Sequence, residues 1–316
     1  MPAPGIITKY NASYAFKKEP RAMIYYHSAF LTGLPETEEN RAAFRDHKIS
    51  VLVSYYDFRP AYWRKLEFFD KQVCNFMLDS GAFSAFTQKK PIDLKKYIAF
   101  IKEHMAKLTC YIALDVIGDA KASVENYKTM RQNGLDPIPV WHPPFSSTDV
   151  LKEYLDLGAK YICFGAIASA LKAKAGNSMY YQLCPKIDKA FELLQKYPGT
   201  KVHGLGISSD TLTKMYPWYS LDSSAMMIYA GYGHVMFKNK VYHVTGSSWE
   251  NKDYYMNPPT RRKDEFLANV ARLGFDIEKC KVDHGYRMLL CVLFYDEFIA
   301  ALPPAVIKPG IQENLF

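Results

Sequence analysis

The sequence lacks the features that mark membrane-spanning and secreted proteins. No uninterrupted apolar run reaches the roughly 18 residues that a membrane-spanning helix requires. Residues 1–13 show neither the basic start nor the apolar stretch of a secretion signal, so we expect a soluble, cytoplasmic protein with no membrane partner. Internal repeats and low-complexity tracts are also missing, which excludes a repeat array.

The sequence also has no paired cysteine motif. None of its six cysteines belongs to a CxxC pair, and several lie inside apolar runs, such as Cys291 in LLCVLF. Reduced core thiols explain this distribution better than disulfides or a zinc cage. Cys280, His284 and Cys291 lie at helical spacing, and we interpret His234 and His243 as pairing residues of a hairpin. We therefore predict no metal site, no structural zinc and no cofactor.

The chain carries an excess of basic residues. Lysine and arginine number 40 against 32 acidic residues, a net charge of +8. Such an excess suits a polyanionic partner, although many soluble proteins are mildly basic and bind none. Clusters at 89–90 and 261–263 are candidates for phosphate contacts, and we interpret them as solvated faces. The 24 tyrosines and 19 phenylalanines are mostly core residues, and some could stack on bases.

Short β-rich runs recur along the chain, each followed by polar or helical sequence. We predict strands at 22–27, 50–55, 74–79, 110–115, 137–142, 161–166, 201–207 and 218–222. Segments between them, such as 94–108 and 187–197, have apolar residues at helical spacing. Eight strands that alternate with helices predict an α/β fold, a (β/α)8 TIM-like barrel, with a doubly wound open sheet as the rival.

The position of the polar residues favours the barrel. The residues that end an apolar run are His27, Asp79, Asp115, His142, Gly165, Gly206 and Asp222. In barrels, the carboxyl ends of the strands carry the chemistry.

After residue 222 the pattern changes. We predict a β-hairpin at 229–249, an amphipathic helix at 264–276 that ends at Gly274, and a buried apolar helix at 284–302. The chain therefore divides into a catalytic barrel at 1–228 and a C-terminal extension at 229–316 that packs on it.

Three predicted strands end in a carboxylate, at Asp79, Asp115 and Asp222. A carboxylate behind an apolar strand is partly desolvated, so it needs a specific partner or its pKa shifts. One such residue is more often a helix cap than a catalytic group, but three on one rim favour catalysis. Two carboxylates that flank a reactive centre suit acetal chemistry, because one forms a covalent intermediate and the other transfers protons.

An N-glycosidic bond can be broken in the same way if the leaving base is held flat. Holding a flat base requires apolar walls and a backbone that approaches closely. Phe83 and Leu205 could form the walls, and Gly165, Gly204 and Gly206 the close backbone.

The strand ends resemble those of the tRNA-guanine transglycosylase superfamily. LDSGAF at 78–83 is similar to the base-binding DSGGF segment, CFGAIA at 163–168 to the GGLA loop, HGLGIS at 203–208 to the LMGVG strand, and SLDSSAM at 220–226 to the strand with the nucleophilic aspartate. The D-S-S sequence, the missing zinc motif and the short length look more like the DNA-modifying branch. Those are the DpdA-type enzymes of phages and bacteria, which insert 7-deazaguanine derivatives into DNA. The resemblance covers about residues 22–225.

The resemblance implies a pentosyltransferase that exchanges guanine in DNA for a 7-deazaguanine base of the preQ0 type. It implies Asp222 as the nucleophile on the deoxyribose and Asp79 as the general acid and base. For the base it implies hydrogen bonds with Ser80 and Asp115 and stacking by Phe83 and Leu205. It also implies a closely approaching backbone at Gly165, Ala166 and Gly206. His142 lies near the position of a glutamine in the tRNA enzymes, where the alignment shifts by one residue.

The chain departs from the tRNA-modifying pattern in two ways. DSGGF has become DSGAF, and the added methyl group could narrow the pocket. The zinc loop that helps to read tRNA is missing, so the resemblance fits DNA better than RNA. The target deoxyguanosine must then be flipped out or single-stranded, because a base inside a duplex cannot reach two carboxylates in a barrel mouth.

Three other functions stay open on the sequence alone. One is a tRNA-guanine transglycosylase acting on RNA. Another is a metal-dependent TIM-barrel hydrolase with ligands among the aspartates, His27, His142 and His203, although no HxH pair is present. The third is a non-catalytic nucleic-acid-binding barrel whose aspartates are caps. No motif encodes the 7-substituent, the DNA sequence context or the oligomeric state.

Overall fold

The computed structural model describes residues 23–29, 36–56, 68, 71–167, 178–238, 240–245 and 260–302. Its main strands are β1 (Ile24–Ser28), β2 (Ser50–Ser54), β3 (Asn75–Asp79), β4 (Cys110–Tyr111), β5 (Val140–Trp141), β6 (Tyr161–Phe164), β7 (Lys201–Gly204) and β8 (Ser220–Ser223). They form one parallel sheet in the order β4-β3-β2-β1-β8-β7-β6-β5. Strands β9 (His234–Phe237) and β10 (Lys240–His243) form a separate antiparallel hairpin.

Helices follow the parallel strands in alternation. They are α1 (Glu38–His47), α2 (Ala82–Thr87), α3 (Leu94–His104), α4 (Ala120–Gln132), α5 (Thr148–Asp156), α6 (Ser178–Leu194), α7 (Asp210–Met215), α8 (Ala225–Gly231), α9 (Thr260–Arg272), α10 (Ile277–Val282) and α11 (His284–Ala300). This alternation confirms the predicted TIM-like (β/α)8 fold with a C-terminal hairpin and helices. No helix in the described ranges combines the length and the hydropathy needed to cross a membrane.

The chain forms two compact units. Among the residues that the structure describes, one unit, the split unit, contains residues 24–112 and 222–301, and the other, the middle unit, contains residues 113–221. The domain boundary predicted after residue 228 stays a prediction.

Helix α11 anchors the C-terminal elements of the split unit. It packs on α8, β9 and β1. The buried Arg287 guanidinium donates hydrogen bonds to the carbonyls of Ala230, at 2.8 Å, and Cys280, at 2.6 Å. These carbonyls close α8 and α10, so one side chain satisfies acceptors of both helices. On β1, the Tyr25 ring lies 4.6 Å from Tyr295 of α11.

An aromatic core fills the middle unit. Trp141 of β5 contacts Phe164 of β6 edge-on with 4.8 Å between ring centroids. Phe191 of α6 lies 5.5 Å from both Phe164 and Trp218, and it stacks on Tyr216 at 5.3 Å. All five rings are buried. Much of the chain's high aromatic content therefore serves packing, as the sequence predicts.

Three predicted elements differ from the structure in extent. Strands β4 and β5 have two residues each, where the sequence predicts six. Residues 229–231, predicted as the start of the hairpin, belong to helix α8, in which Met226 and Ala230 at spacing i, i+4 are buried on one face. The hairpin is limited to residues 234–243, and the predicted hairpin residues 246–249 lie outside the described ranges. Gly274, with φ 76°, does end α9.

Gly134 is a matched control for the contribution of Gly81, which follows β3, to the free energy of unfolding. Gly81 and Gly134 both have φ 79°, but an added Cβ at Gly81 would overlap Tyr56 Cβ and Ser54 Oγ, whereas at Gly134 it meets no atom within 4 Å. We expect Gly134→Ala to cost about 1–2 kcal/mol from backbone strain and Gly81→Ala about 2–5 kcal/mol from strain plus overlap. Urea unfolding measures both, and equal costs would contradict the overlap at Gly81.

Candidate functional site

The turn after β3 fixes the first predicted catalytic residue. Asp79 is the last residue of β3 and is half-buried, and its carboxylate accepts a hydrogen bond of 3.0 Å from the Gly81 backbone amide. The Ser80 side chain is buried, and its hydroxyl oxygen accepts from the Ala82 amide at 3.3 Å. The N-cap position of α2 is Gly81, which has no side chain. Asp79 therefore orders the turn but is not the N-cap of α2.

Helix α2 presents an aromatic ring directly behind this turn. Phe83 is the second residue of α2, and its side chain is 55% exposed. A large aromatic side chain at this exposure offers a face to solvent or to a flat ligand. The structure thus brings Asp79, Ser80 and Phe83 together within one five-residue stretch.

The second predicted catalytic residue is buried and held by a neighbouring strand. Asp222 lies in β8 with 6% exposure, and its Oδ2 accepts a short hydrogen bond from the Ser28 hydroxyl at the end of β1. The N-cap of α8 is Ser224, and the Ser223 hydroxyl accepts from the Ala225 amide at 3.0 Å. Asp222 is therefore not the N-cap residue of α8.

A buried tyrosine lies close to the same carboxylate. Burial, and then the nearby charges of Tyr295 and Asp222, hold the pKa of the Tyr25 phenol well above its ordinary value. Tyr25 is therefore neutral at physiological pH and adds no negative charge beside Asp222.

The middle unit holds a buried polar contact between two predicted base-binding residues. Asp115 Oδ2 lies 2.9 Å from His142 Nε2, and both side chains are buried. His142 directly follows β5, as predicted, whereas Asp115 lies four residues beyond the end of β4. The chain leaves β4 early because the Ala113 amide pairs with the Ile138 carbonyl at 2.8 Å. The sequence predicted both residues but not their pairing.

Gly165 provides the space for the His142 ring. An added Cβ at Gly165 would lie 2.9 Å from His142 Cδ2 and 2.9 Å from Val140 Cγ1. The Gly165 amide donates to the Trp141 carbonyl at 2.9 Å. A glycine is therefore needed at this position so that β6 can pass beside the imidazole.

Two further predicted residues of the middle unit have left-handed backbone. Ala166 has φ 61°, a strained value for a residue with a Cβ, and Gly206 has φ 69°. Leu205 between β7 and Gly206 is half-buried, and its amide donates to the Phe164 carbonyl at 3.0 Å. These backbone segments lie directly beyond the ends of β6 and β7.

The ten predicted site residues thus fall into two groups. Asp79, Ser80, Phe83 and Asp222 belong to the split unit, and Asp115, His142, Gly165, Ala166, Leu205 and Gly206 belong to the middle unit. Within the split unit, Asp79 and Asp222 lie on strands separated by β2 and β1 in the sheet order. The strands that carry the two carboxylates are therefore not adjacent in the sheet.

Sequence reasoning missed Ser28 and misplaced His27. Strand β1 continues to Ser28, and successive side chains of a strand point to opposite faces. Ser28 therefore faces Asp222, while His27 faces α11, where its Nε2 lies 2.9 Å from Asp296 Oδ1. The signal for Ser28 was present, since it is a polar residue directly after an apolar run.

The three histidines considered as metal ligands each have a protein partner. His27 pairs with Asp296, His142 with Asp115, and His203 Nδ1 lies 2.6 Å from the Ser220 hydroxyl. In the described ranges, no three His, Cys, Asp or Glu side chains are grouped as a metal site.

The two cysteines considered for zinc have strongly perturbed thiols. Burial, above all, raises the pKa of Cys280 and of Cys291 to about 12 each. Both thiols are therefore protonated at physiological pH in this structure. The Cys291 thiol also donates to the His234 carbonyl at 3.4 Å.

Comparison with known proteins adds no relative. Neither the scan against protein-family models nor the search of curated proteins gave a match.

The contact between Gly165 and His142 can be tested by a double-mutant cycle. We expect Gly165→Ala to cost about 1–3 kcal/mol, because the new methyl group overlaps the imidazole and Val140. In a His142→Ala background the same change should cost about 1 kcal/mol less, because half of the overlap is gone. Urea unfolding of the four proteins measures the coupling, and additive costs would contradict the contact.

Proposed function

We propose that this protein is a base-exchange transglycosylase that replaces guanine in DNA with a 7-deazaguanine derivative. The observation that carries the proposal is the state of Asp222. It is buried in β8, it is not the N-cap residue of the following helix, and the Ser28 hydroxyl donates to its Oδ2. A carboxylate nucleophile needs this kind of environment, because it has to be oriented before it attacks.

In the proposed first step, an Asp222 carboxylate oxygen attacks C1′ of the target deoxyguanosine. The C1′–N9 bond breaks, its electron pair leaves with the base, and a proton from Asp79 neutralises the departing guanine. The product of this step is a covalent ester between Asp222 and the deoxyribose. The Ser28 hydroxyl, which donates to Oδ2, orients this carboxylate for the attack.

In the second step, Asp79 removes the proton from N9 of the incoming 7-deazaguanine base. The freed N9 electron pair attacks C1′ and releases the Asp222 carboxylate. Asp79 returns to its protonated form, so the cycle consumes no ATP. Asp79 is half-buried, and its carboxylate accepts a hydrogen bond from the Gly81 amide. This position suits a group that exchanges protons with a ligand at the surface of the split unit.

Recognition of the base is assigned to residues that offer flat walls and polar edges. Phe83, with its exposed ring, would stack on the base. A carboxylate accepts hydrogen bonds from the N1–H and 2-amino groups that guanine and 7-deazaguanine share, which is the role proposed for Asp115. His142, paired with Asp115, would keep that carboxylate in one orientation.

Backbone groups complete the proposed base site. Ala166 corresponds to the second glycine of the GGLA loop in the resembling family, and it keeps the left-handed conformation that glycine adopts freely. A strained φ at a residue other than glycine is consistent with a backbone segment that is held in position to contact a ligand. Ser80, Gly165, Leu205 and Gly206 are the other residues proposed to line the base.

The exchange reaction itself tests the proposal. The protein is incubated with guanine-containing DNA and radiolabelled guanine or 7-cyano-7-deazaguanine, without ATP or added metal. We expect incorporation of label into DNA, a loss of about 10³-fold or more for Asp222→Asn, and a smaller loss for Asp79→Asn, because water can replace a proton carrier.

Asp136→Asn is the matched control, because Asp136 is exposed and pairs with Arg131, which is also exposed. This variant should exchange base at the rate of the unaltered protein. Full activity of both Asp222→Asn and Asp79→Asn would refute the assigned roles. Incorporation into RNA but not DNA would assign the enzyme to the RNA-modifying branch.

Ser28 gives a finer test of how Asp222 is oriented. Ser28→Ala removes one hydrogen bond to a charged group, so we expect kcat to fall by about 10–100-fold with little change in KM for the base. Ser28→Thr keeps the hydroxyl and should recover most of the rate. Equal rates for the alanine and threonine variants would show that this hydrogen bond does not support catalysis.

A further inference from the structure

Helix α2 has an inverted distribution of apolar side chains. Its buried residues are the small Ala82 and Ala85, while the large Phe83 and Phe86 are 55% and 60% exposed. Helices of soluble proteins normally bury their large apolar residues and expose polar ones. Phe83 and Phe86 are three residues apart, so they are neighbours on the helix surface. The packing of α2 therefore does not explain its exposed aromatic face.

Lysines follow this aromatic face directly. Lys89, Lys90, Lys95 and Lys96 are all exposed, and none of the four makes an ion pair with a carboxylate in the described ranges. The one acidic residue between them, Asp93, uses Oδ1 to accept from the Lys96 amide at 3.1 Å. The stretch from 89 to 96 is therefore strongly cationic.

The local backbone keeps the first two lysines beside the aromatic face. Lys89 has φ 54° and closes α2 by donating from its amide to the Phe86 carbonyl at 3.2 Å. The Lys90 amide donates to the Ala85 carbonyl at 2.9 Å. This left-handed closure turns the chain at the end of α2.

Lys95 and Lys96 are not explained by helix stability. Both lie in the first turn of α3. The helix dipole disfavours positive charge at this end, so cations here oppose the folding of their own helix. Their charge is better suited to an anionic partner.

We propose that α2 and these four lysines form a platform for single-stranded DNA beside the exchanged nucleotide. Phe83 stacks on the exchanged base, Phe86 stacks on an adjacent base of the same strand, and the lysines neutralise the phosphates that follow. Aromatic faces combined with unpaired cations are the features that bind single strands without sequence preference. This platform rests on the proposed function, because the exchanged base defines where the strand starts.

The aromatic part of the platform is tested by binding without chemistry. The probe is a fluorescein-labelled thymidine oligonucleotide of about 12 nucleotides, which contains no guanine and cannot undergo exchange. We expect Phe86→Ala to weaken its binding by about 5- to 100-fold in fluorescence anisotropy. Tyr232→Ala is the control, because Tyr232 is another highly exposed aromatic residue, at 72%, and lies outside the platform.

The cationic part is tested by the salt dependence of the same binding. Each phosphate contact on a single strand contributes about 0.7 to the slope of log K against log salt. The double variant Lys89→Gln/Lys90→Gln should therefore lower the slope by about 1.4. The double variant Lys71→Gln/Lys240→Gln removes the same charge from exposed positions outside the platform and should leave the slope unchanged.

The outcomes separate this platform from the exchange chemistry. The platform is overturned if the unaltered protein does not bind the oligonucleotide. It is also overturned if the Phe86 and lysine variants bind as tightly as the unaltered protein, even when exchange is observed. If these variants lose binding and the unaltered protein shows no exchange activity, the platform is supported and the proposed reaction is refuted. Tighter binding of a uridine oligonucleotide, lost in the same variants, would replace DNA by RNA as the partner. Circular dichroism melts confirm that each exposed-site variant is folded.

Discussion

The hydrogen bond from Ser28 to Asp222 is the interaction on which this account depends. A buried carboxylate is costly unless a donor compensates it, and the donor also orients the carboxylate. The other two strand-end carboxylates are held differently: Asp79 by a backbone amide of its own turn, and Asp115 by the ring of His142. Carboxylates in separate environments take separate roles, which is how one site can contain both a nucleophile and a proton carrier.

The short turn after β3 links the proposed chemistry to the proposed binding of nucleic acid. Gly81 closes the turn in a space that has no room for a Cβ, and α2 starts at once. Asp79, the proposed proton carrier, and the exposed Phe83 therefore lie on one short turn and the first turn of α2. The same segment continues to Phe86 and the lysines, so a strand bound on α2 would deliver its base next to Asp79.

Sequence patterns predicted the parts that depend on local periodicity. The eight strands and the polar residues at their ends were predicted because an apolar run that stops at a carboxylate is visible in one dimension. Two kinds of feature were not visible. Because β1 continues one residue beyond the predicted strand end, Ser28 and not His27 is its last residue, and the sequence did not predict the contact of Ser28 with Asp222. Contacts between segments that are distant in sequence, such as the contact of Asp115 with His142, depend on the tertiary fold and not on spacing.

The most direct measurement of the central claim is mass spectrometry of the stalled reaction. The protein is incubated with guanine-containing DNA in the absence of an incoming base, quenched in acid and digested. The account predicts that the peptide containing Asp222 carries the mass of a deoxyribosyl DNA fragment through an ester bond. Base exchange that proceeds with the adduct on another residue, or with no adduct on Asp222, would contradict it.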